Sequence, residues 1–186
     1  METKAYSDIK MTEIAKKSGF ARQTIYRHYQ DKDDILYEYL CHQYHFFDDE
    51  LSEGPLDKGL NAGAIGEDVF VSFFQKWQQY MTEPLLYNIH LADRKIRQMI
   101  YRSLEYYIQN KYADFFMTPE PLKSEHFTYA FRSLASLMHS LLIEWTLQRF
   151  KQTPEEMGKL AFRLTESVRG YCAEISVERP LNGRSS

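Results

Sequence analysis

The sequence predicts an all-α protein with a small head and a larger helical body. Apolar residues recur three or four positions apart through most of the 186 residues, and no segment alternates as a half-buried strand does. Two stretches that contain glycine or proline, 51–66 and 117–123, interrupt this periodicity. We therefore expect blocks of helices separated by a linker and a loop.

The first block consists of short helices joined by tight turns. Apolar side chains share one face of 11–18, and Gly19 ends this helix because glycine tolerates the left-handed conformation. A second short helix covers about 21–29. Asp31 is a suitable N-cap for a longer helix from Lys32 to about Asp49, whose first turn carries two further acids.

The body resumes helical spacing after the first interruption. A threonine at 153 can cap the last helix, Pro154 suits its first position, and Glu156 can reach back to the cap. The spacing predicts helices over 67–82, 84–91, 94–116 and 124–150, and a last helix from Pro154 to about Ile175. The predicted domains are a head with its connecting helix at 1–49, a body at 50–178 and a flexible tail at 179–186.

Composition favours a soluble protein of a reducing compartment. A hydrophobic fraction of 44% is enough to bury a core. No apolar run approaches the roughly 18 residues of a membrane span, and the polar first residues do not form a signal peptide. Two cysteines, Cys41 and Cys172, are too few for a disulfide framework. We expect a cytoplasmic location and no membrane partner.

Basic residues are concentrated at the N-terminus, although the whole chain carries a net charge of −3. Residues 1–30 hold six bases and three acids, a net of +3, so the remaining 156 residues sum to −6. This asymmetry suits a chain that contacts a polyanion with one end only, and a solvated basic surface is its alternative explanation.

Two short basic helices around a glycine turn have the outline of a helix-turn-helix. The second helix of such a unit enters the major groove, where its first side chains reach base edges. Here that helix opens with Arg22, Gln23 and Thr24. Arginine can bind guanine with two hydrogen bonds, glutamine can bind adenine in the same way, and threonine can touch a thymine methyl group or a phosphate.

The stretch from Tyr6 to Leu36 resembles the DNA-binding motif of TetR/AcrR-type bacterial transcriptional regulators, over about 30 residues without a gap. The family pattern has an aromatic residue, then Ile-Ala-x-x-(Ala/Ser)-Gly-(Val/Phe), then Thr-(hydrophobic)-Tyr-x-(His/Tyr)-(Phe/Tyr), and finally Lys and acids before Leu. The matching positions are Tyr6, Ile14, Ala15, Ser18, Gly19, Phe20, Thr24, Ile25, Tyr26, His28, Tyr29, Asp31, Lys32, Asp33, Asp34 and Leu36.

The resemblance implies DNA-binding roles for eight side chains. It makes Arg22, Gln23 and Thr24 readers of bases or of the groove, and the contacts mainly to phosphate would be Lys10, Tyr26, His28, Tyr29 and Lys32. Substitution of Arg22 or Gln23 should then relax sequence preference, whereas substitution of Lys32 should weaken binding to all DNA alike.

Two features depart from the family pattern. Ala21 stands where the family places Ser or Thr, so the recognition helix lacks its side-chain cap, a loss of about 1 kcal/mol. The family also has a helix before the aromatic residue, where this chain has only five residues. A start recorded too far downstream and a natural shortening both explain the difference. Without that helix, the apolar side chains of Met11, Ile14, Leu36 and Tyr39 would be partly uncovered.

The segment 141–164 resembles the last two helices of the family and the loop between them, which implies a homodimer formed through a four-helix bundle. An apolar stripe needs burial against the core or against a partner. A two-fold protein reads a pseudo-palindromic DNA operator whose half-sites lie about 34–36 Å apart, or a multiple of that distance. The candidate interface residues are Leu141, Trp145, Leu160, Leu164, Val168 and Tyr171.

The aromatic residues of the body predict an apolar pocket for a small hydrophobic or aromatic effector, and ordinary core packing is the alternative for each ring. Such an effector would shift the spacing of the two heads of a repressor by binding one state more tightly. The candidate pocket residues are Phe73, Trp77, Tyr101, Tyr107, Phe131, Met138 and His139.

Other classes of function have weaker support. His42, His45 and Asp49 share one helical face next to Cys41, but a solvated polar face is commoner than a zinc site, so we predict no metal. The chain contains no Gly-x-Ser-x-Gly, no His-Glu-x-x-His and no phosphate-binding glycine loop, so we predict neither an enzyme nor a cofactor. The alternative function is a protein-interaction module or co-regulator whose truncated head does not bind DNA.

Overall fold

The all-α prediction is confirmed. A computed structural model describes residues 4–52, 66–115 and 125–177, with side chains at 4–44, 66–110 and 128–171. These ranges contain nine α-helices, one 3-10 turn at Tyr6–Asp8 and no strand. The helices are α1 (Met11–Ser18), α2 (Arg22–His28), α3 (Lys32–Ser52), α4 (Glu67–Tyr80), α5 (Glu83–His90), α6 (Arg94–Phe115), α7 (Glu125–Leu147), α8 (Pro154–Leu164) and α9 (Glu166–Val177).

The local signals in the sequence place the helix ends correctly. Gly19 has φ +75° after α1, the left-handed conformation that glycine adopts without strain. The Asp31 carboxylate accepts two backbone N–H groups of the first turn of α3, at 2.8 and 3.1 Å. At the start of α8, Glu156 N–H donates to Thr153 Oγ1 and Thr153 N–H donates to the Glu156 carboxylate. The predicted linker, the 117–123 loop and the tail lie, for the most part, outside the described residues.

The predicted last helix is wrong in one respect, because it is interrupted at Thr165. The Thr165 hydroxyl donates to the carbonyl of Ala161 at 2.8 Å, a side-chain bond that bends helices. Arg169, buried against α8, donates to the carbonyl of Phe162 at 2.9 Å and stacks its guanidinium 4.1 Å from the Phe162 ring centre. The Ala161 carbonyl thus accepts the Thr165 hydroxyl in addition to the Thr165 backbone N–H at 3.0 Å, and the Phe162 carbonyl accepts the Arg169 side chain.

The main core lies among α4, α6 and α7, and α5 and α8 close it. Two buried polar side chains of this core form a chain of hydrogen bonds: the Trp77 indole N–H donates to Thr146 Oγ1 at 3.0 Å, and the Thr146 hydroxyl donates to the carbonyl of Leu142 at 2.7 Å. The largest apolar side chains with almost no exposed surface are Phe74, Ile89, Ile96, Ile100, Leu104, Leu142 and Trp145.

The buried head residues in this core are Tyr6 and two residues of α3, and Ile9 packs against it. Leu40 and Tyr44 of α3 are buried in it, and the Tyr44 ring stacks on Tyr107 of α6 with centres 5.1 Å apart. The buried residues of α1 and α2, Ala15 and Ile25, lie outside it. The two short helices therefore depend on α3 and on the Tyr6 segment for their position relative to the body.

Helices α4 and α8 approach closely at Gly158. A Cβ atom at this position would lie 2.6 Å from the backbone Cα and N of Val71, closer than real Cβ contacts come. Because the neighbouring atoms belong to the backbone, they cannot rotate away as a side chain does. The two helices would have to separate.

We expect Gly158→Ala to destabilise the protein by about 1–3 kcal/mol, since overpacking costs more than the helix propensity that alanine adds. Urea denaturation measures this change. Gly170→Ala is the matched control, because nothing lies within 4 Å of its Cβ position and alanine there should be neutral or stabilising. Equal stability of the two variants would contradict the close approach.

Candidate nucleic-acid interface

Helices α1 and α2 form a helix-turn-helix with a small buried centre. Gly19 makes the turn, and Ala15 and Ile25 are the buried residues of the two helices. Met11 and Ile14 are half-buried, whereas Phe20 in the turn is 64% exposed. Large apolar groups are therefore incompletely covered on this part of the head.

The recognition helix α2 presents most of its predicted contact residues to solvent. Arg22, Gln23, Tyr26 and His28 are exposed, whereas Thr24 is half-buried beside the inward-facing Ile25. Ala21 at the N-cap makes no side-chain hydrogen bond, as its residue type dictates. The outward face of α2 thus carries the donors and acceptors that base edges require.

Exposed bases flank this face. Lys10, the N-cap residue of α1, is exposed, and so are Lys16 and Lys17 in the last turn of that helix. Arg27 of α2 is exposed as well, with its guanidinium 3.5 Å from Nε2 of His28. Arg27 is not among the eight predicted contacts, although its charge and its exposed position on α2 favour one.

Tyr29, predicted to bind phosphate, is half-buried and faces a carboxylate. The Glu38 carboxylate of α3 is the largest cause of a raised Tyr29 pKa. A carboxylate beside the hydroxyl repels phosphate, so this geometry differs from the predicted one.

Lys32, also predicted to bind phosphate, directs its ammonium group into the head. Nζ donates to the backbone carbonyls of Tyr6 at 2.6 Å, Ser7 at 3.2 Å and Ile9 at 2.9 Å. The same nitrogen lies 4.5 Å from the centre of the Tyr6 ring. Each of the three N–H donors of an ammonium group thus has an acceptor within the protein. The position of Lys32 therefore differs from the predicted phosphate contact.

Polar contacts join the Tyr6 segment to the body. The Tyr6 backbone N–H donates to Oδ1 of the buried Asn88 at 2.6 Å, and the Asn88 amide donates to the carbonyls of Lys4 and Pro84. The Tyr6 hydroxyl donates to one carboxylate oxygen of Asp33 at 2.7 Å. Asn88 belongs to α5 and Asp33 to α3, so Tyr6 bridges the body and the connecting helix.

Asp33 also forms an ion pair across this junction. Lys95 of α6 donates to its second carboxylate oxygen at 2.9 Å. Burial alone would raise the Asp33 pKa, but the hydrogen bonds from Tyr6 and Lys95 outweigh it and the pKa is lowered. Burial and the Asp33 carboxylate both raise the pKa of Tyr6, which stays protonated as a donor.

A comparison with protein families identifies the head. The family model described as "Bacterial regulatory proteins, tetR family" matches residues 1–39. The head is that of a TetR-family transcriptional regulator. Searches of curated proteins and of solved structures found no significant match.

The matched segment covers α1, α2 and the first turns of α3, which hold the residues assigned to DNA. The resemblance predicted from the sequence is therefore confirmed. The TetR-family head supplies the DNA-binding part of this regulator, and it ends within the helix that enters the body.

The predicted effector-pocket residues divide into buried and half-buried groups. The buried residues pack in the core, and the half-buried residues lie at its edge. At that edge the Tyr101 and His139 rings meet edge to face with their centres 5.8 Å apart, and His139 Nε2 donates to the carbonyl of Arg97 at 3.1 Å. Burial lowers the pKa of His139. Phe73, Trp77, Phe131 and Met138 are buried, and Tyr101, Tyr107 and His139 are half-buried.

The predicted dimer residues are also divided. Leu160, Leu164 and Tyr171 are 42%, 48% and 41% exposed, whereas Leu141 and Val168 are half-buried against the core. Trp145 departs from the prediction because it lies inside the protomer, 2% exposed. Its indole N–H donates to the carbonyl of Gln152 at 3.0 Å, so the hydrogen-bonding group of the ring is used there.

The histidine–aspartate set of α3, for which no metal is predicted, lies partly outside the described residues. No group of potential ligands that could hold a metal ion is found among the described side chains. Of the histidine–aspartate set on α3, the side chain of His42 is described, and those of His45 and Asp49 lie outside the described residues.

The Asp33–Lys95 pair yields a stability prediction. Lys95 is 61% exposed at its side chain, so solvent weakens the pair, and a double-mutant cycle of Asp33→Asn and Lys95→Met should give a coupling of about 0.2–1 kcal/mol at pH 7.

The coupling should depend on pH with a definite sign. Because the pKa of Asp33 is lower in the folded than in the unfolded protein, its stabilisation is present above the ordinary aspartate pKa of about 4 and is lost as the pH falls through the folded value. Urea denaturation of the four proteins at neutral and acid pH measures it. A coupling that stays constant into acid would contradict the ion pair.

Proposed function

We propose that this TetR-family regulator is a homodimeric repressor that binds a pseudo-palindromic operator and responds to a small hydrophobic or aromatic effector. The observation that carries the proposal is the outward face of α2, where Arg22, Gln23 and Tyr26 are exposed together on a head of this family. The role is one of binding, without catalysis or a cofactor.

The physical support for base reading is the combination of side-chain type and exposure. A guanidinium matches the two acceptors of guanine in the major groove, and a carboxamide matches the donor and acceptor of adenine. Arg22 and Gln23 occupy the first turn of α2, the part of a recognition helix that reaches base edges. The exposed lysines of α1 can neutralise phosphates beside the groove.

Exposed leucines support the dimer. Leu160 and Leu164 lie one turn apart on α8, and nearly half of each side chain is exposed. Because each is already about half buried, covering the rest of such a side chain against a second copy would contribute about 0.7–1.5 kcal/mol. A two-fold pair would also present two recognition helices, which a palindromic operator requires.

The half-buried polar groups at the edge of the core support the effector. Tyr101, Tyr107 and His139 combine apolar surface with hydrogen-bonding groups, as small-molecule sites do. An effector bound there would contact α6 and α7, and α6 reaches the head through Lys95. Its effect on operator affinity would equal its preference for one head position over another.

A protein-binding head is the second candidate function. Phe20 in the turn is 64% exposed and Tyr26 on α2 is 50% exposed, and the Lys32 ammonium donates within the protein. Exposed aromatic side chains with fewer available cations also fit a protein partner. A co-regulator that binds another regulator is therefore the alternative.

Selection from a random duplex library tests DNA binding. We expect enrichment of a pseudo-palindrome, bound with an affinity that falls linearly on logarithmic axes as salt rises from about 50 to about 200 mM. Arg22→Ala and Gln23→Ala should each reduce discrimination at one base pair per half-site by about 1–3 kcal/mol.

Exposed residues of the body provide matched controls for this experiment. Arg94→Ala and Gln78→Ala remove the same chemical groups from α6 and α4 and should leave affinity and preference unchanged. If no duplex is enriched or bound at low salt, and the same protein recovers a specific partner from cell extract, the co-regulator function replaces this one.

The dimer is tested by charge on α8. Leu160→Glu combined with Leu164→Glu should lower the association constant by at least about 100-fold, because each dimer would have to bury four carboxylates in place of four leucines. Sedimentation equilibrium measures it. Leu91→Glu is the control, since Leu91 is 50% exposed at the end of α5. A monomeric wild-type protein, or a double variant that dimerises normally, would refute the assignment.

A further inference from the structure

We propose that Lys32 is a positioning residue of the head: its ammonium binds the head's own Tyr6–Ile9 backbone and so fixes α1 and α2 relative to the body. The proposal replaces the phosphate contact that the family resemblance implies for this lysine, and it refines the proposed operator binding on which it rests.

The first support is the hydrogen-bonding capacity of the side chain. An ammonium group has three N–H donors, and three carbonyls of residues 6, 7 and 9 lie 2.6, 3.2 and 2.9 Å from Nζ. The Tyr6 ring covers another side of the cation at 4.5 Å from its centre. A phosphate could bind only by displacing one of these partners.

The second support is the backbone that the cation binds. Residues Tyr6–Asp8 form a single 3-10 turn, and Ile9 and Lys10 continue in extended conformation to the start of α1. The carbonyls at the end of such a turn carry partial negative charge, which a cation stabilises. Two backbone hydrogen bonds close the turn, from Asp8 N–H to the carbonyl of Ala5 at 3.0 Å and from Ile9 N–H to the carbonyl of Tyr6 at 3.1 Å. Lys32 thus supplies additional bonds to a short segment that has few of its own.

The third support is what the segment connects. On one side it leads within two residues into α1, and on the other its Tyr6 N–H bonds to Asn88 of the body. Lys32 itself is the first residue of α3, and the adjacent Asp33 binds both the Tyr6 hydroxyl and Lys95. The cation therefore lies where the start of the head, the connecting helix and the body meet.

The substitution Lys32→Met tests the proposal, because methionine keeps an unbranched apolar stem and removes the cation. We expect the salt dependence of binding to a non-specific duplex to stay unchanged, and affinity for the selected operator to fall by about tenfold, the equivalent of a lost base contact. In contrast, Lys10→Met should reduce the slope of log K against log salt by about 0.9 for each phosphate contact removed.

Hydrogen exchange supplies a second readout, independent of DNA. The Tyr6 amide, bonded to Asn88, should lose protection at least about tenfold in Lys32→Met and retain it in Lys10→Met, because opening of the segment exposes it. If wild-type protein binds no duplex, the operator proposal fails while this exchange result still decides the position of Lys32.

The wild-type protein supplies a third readout if Lys32→Met does not fold. The ¹⁵N resonance of the Lys32 ammonium, assigned by its absence in Lys32→Arg, should keep its chemical shift when a DNA duplex is added. A DNA-dependent shift of that resonance, or a slope reduced by about 0.9 per protomer with Tyr6 protection intact, would overturn the proposal.

Discussion

The position of helices α1 and α2 rests on the hydrogen bonds that surround the Tyr6–Ile9 segment. The head has too little apolar material of its own to fix itself, because α1 and α2 bury only Ala15 and Ile25 and neither belongs to the main core. Polar bonds from Lys32 and Asn88, with the buried Tyr6 ring, provide the missing connection. Leaving a buried polar group without a hydrogen-bond partner costs free energy. Positions of the head that break these bonds are therefore disfavoured.

Charge in this regulator is divided between two tasks. The exposed bases of α1 and α2 face solvent, where a polyanion can reach them, whereas Lys32 and Lys95 bind oxygen atoms of the protein. The net charge of the first 30 residues therefore describes only part of the electrostatics of the head. The carboxylates of Asp33 and Glu38 lie on the same connecting helix and orient the two tyrosines that contact them.

The sequence predicted what local chemistry determines. Gly19 marks a helix end through its left-handed backbone conformation, and Asp31 and Thr153 do so through bonds to neighbours in the chain. The family motif is likewise a continuous segment. Contacts between distant parts of the chain could not be predicted, since no local pattern around Asn88 indicates its bond to the backbone amide of Tyr6, 82 positions earlier. Lys32 and Trp145 show the other limit, since a cation or an apolar stripe has the same sequence pattern whether it faces inward or toward a partner. Thr165 shows a third limit, because the sequence does not indicate that its hydroxyl donates to the Ala161 carbonyl and accepts from the Arg169 side chain.

The bond between Tyr6 and Asn88 involves a main-chain amide, and this has a consequence for genetics. Every residue type except proline carries that N–H group, so exchanges at position 6 alter the phenol ring and leave the bond to the body available. Natural variation at this site would report on the aromatic packing, the hydroxyl bond to Asp33 and the contact of the ring with Lys32. The bond is instead sensitive to substitution of Asn88 in the body, because the acceptor is its carboxamide oxygen. A sequence survey limited to the head would miss such a change.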